Sequence, residues 1–175
     1  MKAFIRGAAI FSIGAALGFL AVILLLPSFV MGGLMGRLQA TGSAAQFAPP
    51  LPDEKSRSVV LPSPDLAYVL CVYDLAKGPL MVTFHPPDLP YWSIAAYAAN
   101  TDNFVVINDR NAGEIRDLVL ISPDQPVPPT PPDTRVVQAP TKRGVVLFRG
   151  LLQNRDENLL KQVQASISCH KADKP

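Results

Sequence analysis

Two histidines, two cysteines and a scatter of carboxylates are the groups from which this sequence could build chemistry. Nucleophilic catalysis needs a Ser, Cys or Thr beside a base. His85 stands in a His-Pro-Pro-Asp turn and His170 near the carboxyl end, and neither sits in a recognisable catalytic motif. There is no Gly-x-Ser-x-Gly elbow, no phosphate-cradling glycine loop and no His-Glu-x-x-His pattern. A triad assembled in space from distant residues stays open, because such triads leave no sequential trace. Cys71, Cys169 and His170 could ligate a metal, but adjacent ligands rarely converge on one ion and zinc sites use paired spacings. No metal and no cofactor are therefore expected. For the two cysteines, an exported domain in an oxidising compartment would form a Cys71–Cys169 disulfide; the bland alternative is two buried thiols on a strand and a helix.

Asp74, Tyr97, Asn103 and Arg149 are the candidate ligand contacts, drawn from a wider set that includes Tyr73, Tyr91, Trp92, Asn100 and Asp102. They fall near the ends of apolar runs, where scaffolds place ligands. The same residue types also serve packing and local backbone bonds. The elements that must position them are short runs of β-branched, aliphatic and aromatic residues at 66–73, 80–84, 91–99, 104–107, 118–121, 135–139 and 145–152. Turn chemistry separates them: Lys77-Gly78-Pro79, His85-Pro86-Pro87-Asp88, Asn108-Asp109-Arg110-Asn111 and a long loop at 123–133. This pattern predicts a mainly β, antiparallel, sandwich-like domain. Connections this short leave no room for crossover helices, so a parallel sheet is not expected. One helix closes the chain, with Asn154 as its cap, Glu157 three residues on, and Leu160, Val163 and Ile167 as its apolar stripe. The run from Pro126 to Pro132 favours polyproline II, as a stiff surface loop or as a ligand for an aromatic groove.

Charge decides what surrounds this domain. Lys2, Arg6 and Arg37 supply three of the 16 basic residues, and the remaining 13 stand against 14 acidic ones, so the rest of the chain carries −1. No basic face is left for a nucleic acid, and no aromatic stacking platform accompanies one. Between Gly7 and Gly36 no charged residue occurs. About twenty apolar residues at 1.5 Å each cross a ~30 Å hydrocarbon core, so residues 7–36 read as a transmembrane anchor. Residues 1–6 form a cytoplasmic amino terminus, because Lys2, Arg6 and the terminal amine resist translocation. Pro27 is expected to kink or end the first helix. Gly14 and Gly18 have the small-xxx-small spacing that lets helices self-associate, although glycine is common in membrane helices anyway. The rival reading is a cleaved secretory signal with Gly42, Ser43, Ala44 and Ala45 at the cut, but the apolar core exceeds the roughly 7–15 residues of a signal. Residues 37–57 are Pro- and Ala-rich and read as a semi-rigid tether holding a domain, residues 58–175, off the bilayer.

The stretch Asp74-Leu75-Ala76-Lys77-Gly78-Pro79-Leu80, then Tyr91-Trp92-Ser93, Tyr97 with Asn100-Thr101-Asp102-Asn103-Phe104, Ala139-Pro140-Thr141 and Val146-Leu147-Phe148-Arg149-Gly150 resembles the bacterial domain of unknown function 1254 family. The resemblance runs from about residue 64 to 167 and implies a β-sandwich-like domain without a settled activity. It also implies a bacterial inner membrane with the domain in the periplasm. Longer members carry a second β domain that this chain lacks, which implies a separately encoded companion membrane protein as a partner beside the lipid bilayer. The expected function is a non-catalytic envelope module that binds a partner or ligand. The alternative is a periplasmic hydrolase-like enzyme, alone or with the companion, using Asp74, Tyr97 and Arg149.

Overall fold

The structure is a computed structural model of the 175-residue chain, and it describes residues 1–41, 46–56 and 62–172, with side chains of 39–41 excepted. The possible cleavage region at 42–45 lies outside the described residues. Helix α1 (Lys2–Thr41) is followed by β1 (Gln46–Phe47), β2 (Leu66–Asp74), β3 (Leu80–Phe84), β4 (Trp92–Ala98), β5 (Asn103–Asn108), β6 (Asp117–Ile121), β7 (Thr134–Gln138), β8 (Arg143–Leu151), α2 (Glu157–Ala165) and β9 (Ile167–Lys171). A five-stranded sheet has the order β1-β2-β8-β4-β5, and a four-stranded sheet the order β7-β6-β3-β9. Their inner faces meet in a core that includes Val69, Tyr73, Phe84, Ile94, Leu118 and Phe148. The fold is mainly β and sandwich-like, with a long apolar helix in front and a short helix near the end.

Helix α1 is 40 residues long and runs on through Pro27 rather than ending there. It is long and apolar enough to cross a membrane, and its large apolar side chains are exposed from Phe4 to Val30. Its last turns behave differently. Met31, Met35 and Leu38, spaced so as to share one face, are buried against Tyr68, Leu70, Val72 and Val145 on the outer face of the five-stranded sheet. This explains why 66–73 reads as an unbroken apolar run: Leu66, Tyr68, Leu70 and Val72 join the cluster under α1, while Ala67, Val69, Cys71 and Tyr73 face the inter-sheet core. A strand buried on both faces loses the polar alternation of a one-sided sheet.

The tether expected over 37–57 is not a free spacer where it is described. Phe47 pairs with Leu70 and Gln46 with Cys71. The Gln46 side chain also spans the two sheets, its Nε2 donating to the Ile167 carbonyl (3.0 Å) and its Oε1 accepting from the Cys169 N–H (3.1 Å). Further on, the Pro49 carbonyl accepts from Gln164 (2.7 Å) and the Pro52 carbonyl from Arg155 (3.0 Å). Prolines cannot donate to a ladder, but their carbonyls accept freely, and that is how this segment is held to the domain.

Three local expectations are corrected. The cap of α2 is Asp156, whose carboxylate accepts from the N–H groups of Asn158 (2.7 Å) and Leu159 (3.1 Å); Asn154 lies before it with a left-handed φ of 56°. Ile167 opens strand β9 instead of closing the helical stripe, so Cys169 and His170 lie on a strand. One strand pair, β6 with β7, is parallel. The long loop at 123–133 supplies the crossover that short turns could not, with Gln125 pinning its start through the Leu75 carbonyl (2.6 Å). The remaining ladders are antiparallel.

Candidate functional site

The ends of β3 and β4 and the loop between β5 and β6 enclose a cleft of about 410 Å³ lined by Phe84, His85, Trp92, Asp109, Gly113 and Arg116, among others. Its floor is aromatic. Trp92 stacks on Phe148 at a centroid distance of 6.3 Å and tilts against Phe84 at 5.6 Å. Its rim is polar, and the backbone holds each rim residue in place. His85 N–H donates to the Ser166 carbonyl (3.0 Å), Asp109 N–H to Trp92 (3.2 Å) and Arg116 N–H to Asp133 (3.0 Å). The loop itself is closed by Asn108, whose side chain accepts from the N–H groups of Arg110 and Asn111, both at 3.0 Å. Such Asx turns fix a loop without help from a sheet.

Arg116 is the most organised of the charged groups there. Its Nη1 donates to the carbonyls of Gly113 (3.0 Å) and Ile115 (2.8 Å). Gly113 presents its carbonyl from a backbone with φ of 53°, a conformation glycine adopts at little cost. Among the described residues no carboxylate pairs with Arg116, Asp109 included. Nε and Nη2 thus make no bond to a described residue, and a planar donor fork of that kind suits a carboxylate or phosphate.

The four residues singled out from sequence share one face but not one site. Asp74, Tyr97 and Asn103 lie toward one end of the five-stranded sheet, where Asp74 opposes Arg143 and Tyr97 opposes both Val145 and, across a bulge, Asn103. Asp74 is ion-paired to Lys77 at 3.4 Å. Tyr97 packs against the cluster under α1, and its carbonyl accepts from the Tyr73 hydroxyl at 3.2 Å. Burial raises the Tyr73 phenol above its ordinary range, partly offset by the nearby Thr141 hydroxyl. Arg149 lies four residues along β8 from Val145, roughly 13 Å away. Its neighbours across the ladder are Tyr68 and Ser93.

Cys71 and Cys169 form a disulfide with a Cα–Cα distance of 6.3 Å, joining β2 of one sheet to β9 of the other. Among the described residues no three His, Cys, Asp or Glu side chains gather as a metal site would require. Sequence reading missed Arg116 altogether. The two turns that flank it, His85 to Asp88 and Asn108 to Asn111, were legible as turns, but nothing in them says that they meet.

A family model described as a protein of unknown function, DUF1254, matches residues 44–171. No curated protein matches the chain. Among solved structures, the VPA0106 protein from Vibrio parahaemolyticus is similar in fold, with a TM-score of 0.61 at 12% identity over 89% of this chain. An uncharacterised protein from Burkholderia cenocepacia shows a TM-score of 0.45 at 13% identity over 71% of this chain. The chain spans 40% of the Vibrio protein and 35% of the Burkholderia protein. With its matched segment running from before β1 through β9, this chain belongs to the DUF1254 family.

Proposed function

We propose that the chain is a single-pass protein of the bacterial inner membrane, with its amino terminus in the cytoplasm, and that it holds a non-catalytic binding module at the periplasmic surface. One observation carries this reading. A single helix is apolar and exposed through Val30 and then, from Met31, buries its next turns on the sheet. A helix of about 1.5 Å per residue has ample length for a ~30 Å hydrocarbon core and still reaches the domain. The β module then sits against the headgroups rather than on a long leash.

The ligand belongs in the cleft over Trp92. Its aromatic floor and the open fork of Arg116 suit a small organic acid with a flat apolar body. Trp92 is the single tryptophan of the chain, so its emission reports on the cleft. Benzoate, as a minimal probe, is expected to change that emission in the wild type and to bind at least about tenfold more weakly to Arg116→Gln, the loss that a charge-assisted hydrogen bond predicts. Equal binding by both proteins counts against the assignment. The membrane half of the reading is tested by alkaline extraction and by protease added to spheroplasts. Release of full-length protein at high pH, or a carboxyl-terminal part shielded from external protease, refutes it.

A further inference from the structure

Asp109 and Arg116 carry opposite charges and line the same cleft of about 410 Å³, yet they form no ion pair. Opposite charges sharing a cleft attract one another, so the backbone must hold these two apart. Arg116 is clamped through Nη1, which donates to the carbonyls of Gly113 (3.0 Å) and Ile115 (2.8 Å). Asp109 is anchored through its own N–H, which donates to the Trp92 carbonyl (3.2 Å), and the Asx turn of Asn108 fixes the loop that follows. Both charged groups stay open. Asp109 is exposed, and among the described residues its carboxylate has no partner. Arg116 Nε and Nη2 are unbonded there too, and neither is enclosed by protein.

This charge pattern narrows the ligand. A simple carboxylate on Arg116 brings its negative charge up to Asp109, and such like-charge contacts select against a partner. A ligand with an ammonium group beside its carboxylate satisfies both residues and matches a cleft in which these two charges cancel. Trp92, half-buried and supported by Phe84 and Phe148, offers the rest of that ligand a flat apolar seat. The volume lies near the lower end of the roughly 300–1,000 Å³ of small-molecule clefts, which suits one small molecule that meets both charges at once. We propose that the cleft takes a free α-amino acid with an aromatic side chain, its carboxylate on the Arg116 fork and its ammonium group on Asp109. The proposal rests on the cleft reading above and adds the second charge to it.

The test uses the full chain in a neutral detergent and follows Trp92 emission during titration with three compounds. L-Phenylalanine carries both charges, 3-phenylpropanoate lacks the ammonium group, and N-acetyl-L-phenylalanine masks it. The wild type should bind L-phenylalanine about three- to tenfold more tightly than either of the others, the gain that one exposed hydrogen-bonded charge pair predicts. Asp109→Asn should bind L-phenylalanine and 3-phenylpropanoate within about twofold of each other, and Asp109→Glu should keep the preference. Equal or tighter binding of 3-phenylpropanoate by the wild type overturns the proposal, and this comparison needs no variant to fold. Binding of the N-acetyl compound as tight as that of L-phenylalanine overturns it as well, and assigns the cleft to the carboxyl end of a peptide. A preference that survives in folded Asp109→Asn overturns the role of that residue and with it the proposal. Arg116→Gln separates the two readings: if 3-phenylpropanoate binds through Arg116 without losing to L-phenylalanine, this proposal alone fails, whereas binding indifferent to Arg116 sinks the cleft reading too.

Discussion

The ring of Tyr73 fills the space that a side chain at position 144 would need. The two residues oppose each other across β2 and β8, and a Cβ on Gly144 would overlap the Tyr73 hydroxyl and the Tyr97 carbonyl. The glycine lets the Tyr73 hydroxyl reach across β8 to β4 and donate to that carbonyl. Three strands are thereby tied at one end of the sheet, beside the ring of Phe104, which meets Tyr73 edge-on at 6.4 Å.

Replacing Gly144 with Ala should destabilise the domain by about 1–3 kcal/mol, the range for overpacking a well-filled core. Thermal unfolding followed by near-ultraviolet circular dichroism measures it. Tyr73→Phe keeps the ring and removes the hydroxyl, so it should cost about 1 kcal/mol. A variant carrying both changes should cost less than the sum, since the alanine then meets no hydroxyl. Full additivity would show that the two residues do not share the space assigned to them.

Tyr73 also sets an alkaline limit. Burial makes the folded protein hold the phenolic proton more tightly than the unfolded chain does, whose ordinary value is 10.0. A group with its folded value raised contributes stability that is whole below the unfolded value and is lost as pH rises through the folded one. Stability should therefore be level with respect to Tyr73 up to about pH 10 and fall above it. Tyr73→Phe should be less stable near neutrality yet lose less between pH 10 and 11.5. Parallel urea midpoints of both proteins across that interval would refute the assignment.

What was legible in the sequence follows from which interactions are local. The runs at 80–84 and 118–121 became β3 and β6 almost residue for residue, because each is bounded by its own turn chemistry. Gln46–Phe47 was hidden in a proline-rich stretch, since a two-residue strand has no periodicity and exists only because β2 lies beside it. The spacing of Ile167 from Val163 fits a helical stripe, a pattern that a strand entering the same core satisfies equally well. The cleft was illegible for the same reason. His85, Trp92 and Arg116 come from separate turns and strand ends, and only the packing of one sheet on the other brings them together.

The bridge between Cys71 and Cys169 closes a loop with a sequence separation of 98 residues and ties the two sheets directly beneath β1. Cross-linking a loop of that length is worth about 2–5 kcal/mol. The double variant Cys71→Ala with Cys169→Ala should lower the urea midpoint by about 1–3 M, taking about 1–3 kcal/mol per molar as the slope for a small domain. Reductant should shift the wild type in the same direction and leave the variant unmoved. Two alkylatable thiols in protein purified without reductant would show that the bridge is not formed.

The docking of α1 decides whether the module moves freely over the membrane. Met35 is 4% exposed, though it lies only a few residues from the exposed Phe29 and Val30. Burying a methionine side chain is worth about 1.5–3 kcal/mol, and since about 1.4 kcal/mol is a factor of ten, Met35→Ala should open the contact about ten- to a hundredfold more often. Amide exchange in bilayer nanodiscs reads this directly. Residues 31–38 should exchange faster in the variant, while β3 and β6, which belong to the other sheet, should keep their protection. A uniform loss of protection would mean that the helix is part of the fold's cooperative unit. Unchanged exchange, with 31–38 unprotected in both proteins, would mean that lipid draws the helix off the sheet and that the domain hangs on a flexible link after all.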